Sequence, residues 1–157
     1  MDRDTFIKGV RENRNQMYVI ALSILKNPED AEDIVQQALL TAYEKLDALK
    51  EDDKFRSWMM SIVVNEAKMY IRKNSRMVYM EDMEAVVERA REGRNGEDDV
   101  WELVLLLKKE LSTVVILYYG QGYRVNEISK IMRIPPGTVK SRLAKARALL
   151  KKRLEES

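Results

Sequence analysis

The sequence predicts an all-α protein built from two small helical domains that are joined by an acidic linker. Glycine and proline are scarce, at six and three of 157 residues, and apolar residues recur at helical spacing rather than in strict alternation. Acidic residues dominate an internal stretch, 81–102, and basic residues dominate the last third of the chain. We therefore place the two domains at residues 1–76 and 99–157, with the linker at residues 77–98.

The first domain has the periodicity of three helices. We expect them at about Asp4 to Leu25, Pro28 to Leu46 and Phe55 to Lys73. Asn27 and Pro28 separate the first two, because proline fits the first turn of a helix but not its interior. A polar stretch, Asp47 to Lys54, separates the second from the third.

The linker is defined by its charge. Nine acids stand in residues 81–102 against three arginines, and Gly93 and Gly96 flank Asn95. Such a segment is typical of a solvated spacer, although Met83 and the valines that follow leave a short helix as an alternative.

The second domain has the periodicity of four helices. We expect them at about Val100 to Lys109, Leu111 to Tyr119, Val125 to Met132 and Pro136 to Leu154. The last two are separated by a tight turn at 134–138, which starts the final helix with a proline. This arrangement predicts a helix-turn-helix.

Positive charge is concentrated on this helix-turn-helix. Between Gly122 and Arg153 there are ten basic residues against Glu127 alone, a local balance of 10 − 1 = +9 in a chain whose net charge is +2. A basic face on a helical unit is the electrostatic footprint of a protein that binds phosphates. Nucleic acid is therefore the expected partner.

The final helix divides into a core face and an outer face. The core face carries Val139, Leu143, Ala146 and Leu150. The outer face places small or hydrogen-bonding residues at its centre and cations at its flanks, which suits a recognition helix that reads base edges and contacts phosphates. An amphipathic surface helix with solvated lysines is the alternative interpretation.

The overall composition favours a binding protein over an enzyme or a membrane protein. The chain contains no cysteine and no histidine, so the commonest metal ligands and the commonest general base are missing. No apolar run approaches the roughly 18 residues that span a bilayer, and residues 1–14 lack the apolar core of a signal peptide. We expect a cytoplasmic protein that carries no cofactor or metal and is not an enzyme.

Several strings in both domains resemble a known family. Residues 27–38, Asn-Pro-Glu-Asp-Ala-Glu-Asp-Ile-Val-Gln-Gln-Ala, closely resemble conserved region 2 of extracytoplasmic-function (ECF) sigma factors, as do residues 55–59 and 65–68. Residues 127–129 and 134–143 resemble conserved region 4. The resemblance covers most of the chain in the right order, and it implies a sigma region 2 bundle followed by a sigma region 4 helix-turn-helix. It also implies a promoter-specificity subunit that works with core RNA polymerase.

The resemblance assigns roles to residues in three places. Core-polymerase binding through the second helix maps onto Asp30, Asp33, Gln36 and Gln37. Recognition and melting of the −10 element map onto Phe55, Arg56, Trp58, Asn65, Lys68 and Arg72. Recognition of the −35 element maps onto Thr138, Lys140, Ser141, Arg142, Ala144, Lys145 and Arg147. A core role rather than base stacking is the alternative for Trp58.

The resemblance implies three partners. They are core RNA polymerase, through its clamp and flap regions, promoter DNA, and an anti-sigma factor that is often membrane-tethered.

Two other classes of protein remain as alternatives. A conventional helix-turn-helix regulator would bind duplex DNA by itself and would not need the melting segment between Phe55 and Lys68. A helical adaptor would tolerate neutralisation of Lys140 and Lys145.

Overall fold

A computed structural model describes residues 1–74 and 99–156. These residues form seven α-helices and no strand, which confirms the all-α prediction. The helices are α1 (Arg3–Leu25), α2 (Pro28–Glu44), α3 (Phe55–Lys73), α4 (Asp99–Leu106), α5 (Lys109–Val115), α6 (Val125–Met132) and α7 (Pro136–Glu156). The predicted linker at 77–98 and its alternative short helix lie outside the described residues.

Helices α1, α2 and α3 form the first unit, in which each helix packs against the other two. Its centre is apolar and fully buried, and includes Met17, Ile20, Val35, Met59, Met60 and Val63. The N-cap of α1 is Asp2, whose carboxylate accepts from the amide of Thr5 at 2.8 Å. The N-cap of α2 is Asn27, whose side chain accepts from the amide of Asp30 at 3.0 Å. These caps satisfy amides that a helix start leaves without partners.

The connection from α2 to α3 consists of two 3-10 turns, Leu46–Ala48 and Asp52–Lys54. Helix α2 therefore ends two residues before the predicted Leu46. At the start of α3, Phe55 is buried against α1, where a Cβ on Gly9 would lie 2.6 Å from its ring. Glycine at this position lets α1 and the aromatic ring approach closely.

Helices α4 to α7 form the second unit, and the boundary between α4 and α5 differs most from the predicted one. Helix α4 ends at Leu106 instead of continuing to Lys109, and α5 begins at Lys109. Helix α5 continues into a π turn, Ile116–Gly120, in which the amide of Gln121 donates to the carbonyl of Ile116 at 2.9 Å. The core face of α7 is placed as predicted for three of its four residues, while Leu150 is half-buried.

The helix-turn-helix is held by hydrogen bonds at both ends of α6. At its start the amide of Arg124 donates to the carboxylate of Glu127 at 2.9 Å, which offsets the absence of a capping side chain at Arg124. At its end Arg133 adopts a left-handed conformation with φ 56°. Ser129 Oγ then donates to the carbonyl of Ile134 at 2.5 Å, which fixes the turn into α7.

The two units pack against each other. Helix α3 contacts α6, and α1 contacts α5. The buried apolar residues of both units belong to one continuous hydrophobic cluster. The side chains between the units are consequently arranged by both halves of the chain.

Candidate nucleic-acid and partner interfaces

The outer face of α7 is open to solvent. Five of the seven predicted −35 residues are exposed: Lys140, Ser141, Ala144, Lys145 and Arg147. Thr138 is half-buried, and its carbonyl accepts from Ser141 Oγ at 3.1 Å. The structure therefore presents one helix face on which cations surround small side chains, as a major-groove helix requires.

The two arginines at the sides of this face have different surroundings. Arg147 donates to the hydroxyl of Tyr119 at 3.2 Å, and the Tyr119 ring packs edge-on against Tyr118. Arg142 is half-buried and lies beside Lys68 of the first unit. The sequence pattern contains no sign that Tyr119 orients Arg147, because the two residues lie on separate helices.

Arg56, one of the predicted −10 residues, is held by the second unit. Its guanidinium lies 4.4 Å from the centroid of the Tyr123 ring, in a cation–π arrangement. It also donates to the carbonyl of Gln121. Burial raises the pKa of Tyr123 to about 12, because the phenolate would be poorly solvated there.

Lys68 and Asn65, also predicted for the −10 element, face the second unit too. The ammonium of Lys68 donates to the carbonyl of Met132 at 2.6 Å. Arg133 donates to Asn65 Oδ1 at 3.4 Å. Burial lowers the pKa of Lys68, and the charges of Arg142, Arg133 and Arg72 lower it further. Arg72 itself is exposed.

The two predicted aromatic residues have different positions. Phe55 is a core residue in this arrangement, packed edge-on against Phe6. Trp58 is half-buried beside Phe55, with ring centroids 6.3 Å apart. Trp58 also lines a cleft of about 750 Å³, together with neighbouring residues of α3, residues 48–51 and 53–54, and part of α6. Trp58 thus packs against the core with part of its side chain and faces the cleft with the rest.

An exposed strip runs along α2. Asp33, Gln36 and Gln37 are exposed, as a docking helix requires, whereas Asp30 is half-buried. Leu40 continues the strip one turn further and is 61% exposed. We did not predict Leu40 from the sequence, although its spacing of three and four residues from the glutamines places it on the same face.

Polar groups mediate the contact between the units. The hydroxyls of Ser23 and Thr113 lie 2.8 Å apart. The ammonium of Lys26 donates to the carbonyl of Leu105 at 2.6 Å and to Ser112 Oγ at 3.0 Å. Burial lowers the pKa of Lys26 to about 8, against the opposing attraction of Glu110.

Four buried polar atoms in this contact have no hydrogen-bond partner within the described parts of the chain. They are Gln16 Oε1, Arg56 Nε, Gln121 Oε1 and Tyr123 Oη. Such atoms are exceptions among buried polar groups, and all four belong to residues at the place where the two units meet.

Both units of the chain match known protein families. Residues 10–77 match Sigma-70 region 2, and residues 97–150 match Sigma-70 region 4. The ECF RNA polymerase sigma factor SigW of Bacillus subtilis is 30% identical, over 99% of this chain and 91% of that protein. The chain belongs to the ECF family of RNA polymerase sigma factors. SigM of Mycobacterium tuberculosis is also 30% identical, over 95% of this chain and 76% of that protein.

Two solved structures share the fold of this sigma factor. The sigma factor RpoE in complex with the anti-sigma factor NepR from Bartonella quintana has a TM-score of 0.75 at 22% identity, over 96% of each chain. CnrH in complex with the cytosolic domain of CnrY has a TM-score of 0.70 at 22% identity, over 99% of this chain and 91% of that one.

The predicted family and the predicted role in transcription initiation are confirmed. This ECF sigma factor is an alternative sigma factor that directs initiation by RNA polymerase. The roles of individual residues stay predictions. Within residues 1–74 and 99–156, no helix is long and apolar enough to cross a membrane.

Proposed function

We propose that this sigma factor is a non-catalytic, cytoplasmic initiation factor whose two units must separate before the promoter is fully engaged. Helix α7 reads the −35 element as duplex, α3 and the loop before it capture the melted −10 strand, and α2 docks on the polymerase clamp. The second unit lies near the flap. One observation carries this proposal. The α3 side chains that we assign to −10 DNA are the same side chains that contact the second unit in this structure.

Three side chains of α3 support the need for separation. Arg56, Asn65 and Lys68 each contact a residue of the second unit. A guanidinium that stacks on Tyr123, or an ammonium that donates to the Met132 carbonyl, has less capacity to bind DNA at the same time. Binding of the −10 strand therefore competes with the contact between the units.

The −35 role of α7 is supported by its exposure in the same arrangement. Lys140 and Lys145 are exposed and can approach phosphates, and Arg147 is exposed beside the Tyr119 hydroxyl to which it donates. Ser141 and Ala144 leave room for base edges. Since only Arg142 of this face is turned toward the first unit, duplex recognition needs less rearrangement than −10 recognition.

The cleft beside Trp58 supports capture of an unpaired base. Its volume of about 750 Å³ is ample for one base, and Ser57, Ser61 and Lys54 supply polar groups around the indole. An aromatic wall with hydrogen-bonding neighbours suits a base that has left the stack. The energy for opening comes from preferential binding of the single strand, so this chain needs no hydrolytic reaction.

The polymerase-docking role of α2 is supported by its exposed strip. Leu40 lies one turn beyond Gln36 and Gln37 on the same face, so the polar strip ends in an exposed apolar side chain. A large exposed apolar side chain beside polar groups is typical of a protein contact. We propose Leu40 as a contact in addition to Asp30, Asp33, Gln36 and Gln37.

An anti-sigma factor is the remaining partner that we propose. RpoE and CnrH, which share this fold, were each solved in complex with an anti-sigma factor or its domain. A protein that stabilises the packed arrangement would keep Arg56 and Lys68 engaged with the second unit.

Transcription in vitro tests the proposal. Bacterial core polymerase is incubated with a pool of promoter fragments, with and without this protein, and we expect specific start sites only in its presence. The double variant Lys140→Gln/Lys145→Gln should lose most of this activity, while Lys151→Gln/Lys152→Gln, equal in charge change, should keep it. Tight duplex binding by the protein alone, without polymerase-dependent transcripts, would instead identify a conventional regulator.

Polymerase binding tests the α2 strip separately. We expect Leu40→Asp to weaken binding to core polymerase by about tenfold or more, because an unpaired carboxylate that is buried in an interface is costly. Val100→Asp is the matched control, since Val100 is also an exposed apolar residue but lies on α4. Equal binding by both variants would remove Leu40 from the docking surface.

A further inference from the structure

A second cleft, of about 330 Å³, opens between the two units. Its rim carries four cations: Lys68 and Arg72 from α3, Lys109 from α5 and Arg142 from α7. Its floor is apolar and includes Ile71 and Ile134. We call this feature the cation cleft. Both units contribute to its rim, so it exists only while they are packed together.

The charges of the cation cleft are poorly compensated. In the described parts of the chain, no salt bridge joins any of its four cations to a carboxylate. Glu110 is the one acid on its rim, and its charge also acts on the buried Lys26. Lys68 is partly desolvated, and Arg142, Arg133 and Arg72 act on its charge. Its ammonium already donates to the Met132 carbonyl, so Arg72, Lys109 and Arg142 are the cations of the cleft that face an anion directly. Like charges that act on one another in this way favour a bound anion.

We propose that the cation cleft binds a small phosphorylated organic molecule, with its phosphates on the rim and its apolar part on the floor. Guanidinium and ammonium groups from both units match phosphate oxygens in charge and hydrogen bonding. The volume lies within the range of small-ligand sites. A DNA backbone is a less suitable occupant, because the second unit closes over α3.

Occupancy of the cation cleft would regulate the sigma factor. A ligand that uses cations from both units binds the packed arrangement and stabilises it by mass action. Since Arg72 and Arg142 are proposed DNA contacts, the ligand would also compete with promoter DNA. This regulatory consequence rests on the proposed function, whereas binding of the ligand does not.

Calorimetry and thermal unfolding of the full chain test the site. The probes are ATP and inorganic pyrophosphate, without magnesium and at constant ionic strength. We expect saturable binding of one ATP per chain with a rise in the unfolding temperature. ATP should bind more tightly than pyrophosphate, because only ATP has a base to cover the floor.

A pair of adjacent lysines supplies the matched variants. Lys109→Gln removes a rim cation and should weaken ATP binding by about tenfold, while Lys108→Gln should bind as the wild type does. Lys108 is exposed and does not line the cleft. Both residues lie outside the proposed DNA contacts, so we expect both variants to support normal transcription when no ligand is added.

Several results would overturn the proposal. One is equal ATP affinity in the two lysine variants, and another is ATP binding that does not saturate. A third is a rise in unfolding temperature with sulfate that equals the rise with ATP at the same ionic strength, which would mark an adventitious ion only. Tight binding of an acidic peptide, with none of either phosphate, would identify a protein partner instead. Ligand binding is measured on the free chain, and transcription is measured without ligand. The ligand site and the proposed function in initiation can therefore fail independently of each other.

Discussion

The burial of Lys26 makes a quantitative prediction about pH. Its ammonium lies in the contact between the units, where burial lowers its pKa from 10.5 to about 8. Below about pH 8 the side chain is charged in the folded and unfolded states alike, and the cost of burying the charge is fully present. As the pH rises through 8, the folded state releases the proton first and that cost is relieved. Above 10.5 both states are neutral.

The size of the effect follows from proton linkage. Between the two pKa values the unfolded state binds more protons, so the free energy of unfolding rises with pH. A shift from 10.5 to about 8, at about 1.4 kcal/mol per pKa unit, gives a rise of about 2 kcal/mol between about pH 7.5 and about pH 9.5. The hydrogen bonds from Lys26 to Leu105 and Ser112 limit the cost at neutral pH.

Urea unfolding across this pH range measures the effect when Lys26→Met is the reference. Methionine keeps an unbranched apolar side chain without the charge, and other titrating groups cancel when the two proteins are compared. The stability of the wild type relative to the variant should increase by about 2 kcal/mol from about pH 7.5 to about pH 9.5. A difference that stays constant, or that decreases with pH, would refute burial of the ammonium in this contact.

Three further changes have expected outcomes. Gly9→Ala should lower the free energy of unfolding by about 1 kcal/mol, because crowding against the buried Phe55 ring outweighs the gain in helix propensity; greater stability in urea would contradict the close approach. Asn27→Ala should lower it by about 1 kcal/mol through loss of the α2 cap, and Asn27→Ser, which keeps an acceptor, should recover most of this. Lys140→Gln with Lys145→Gln should reduce the salt slope of −35 duplex binding by about two, one for each phosphate contact, and an unchanged slope would remove both lysines from the DNA backbone.

The helices that the sequence predicts best are those with strong local signals. Helix α3 begins and ends at the predicted Phe55 and Lys73, and α6 spans the predicted residues Val125 to Met132. Five of the seven residues predicted for the outer face of α7 are also exposed, because spacing along one helix determines which residues share a face. These features depend only on residues close together in the chain.

Features that depend on distant residues could not be predicted. The break between α4 and α5 contains neither glycine nor proline, and the ammonium of Lys26, far back in the sequence, helps to explain it by donating to the carbonyl of Leu105 near the end of α4. In the same way, nothing in the pattern of α3 or α7 indicates that Lys68 and Arg142 lie side by side. Such pairings arise from tertiary packing, which overrides local preference.

The covalent connection between the units increases the fraction of molecules in which a weak contact between them is formed. Two domains that belong to one chain meet at an effective concentration of the order of millimolar, so buried groups without a hydrogen-bond partner, such as Tyr123 Oη, do not prevent association. If the separated form were one molecule in about a hundred, every partner that requires it would bind about a hundredfold more weakly than its intrinsic affinity. Such a threshold would be the same at every cellular abundance of the protein, because dilution does not separate domains that belong to the same molecule.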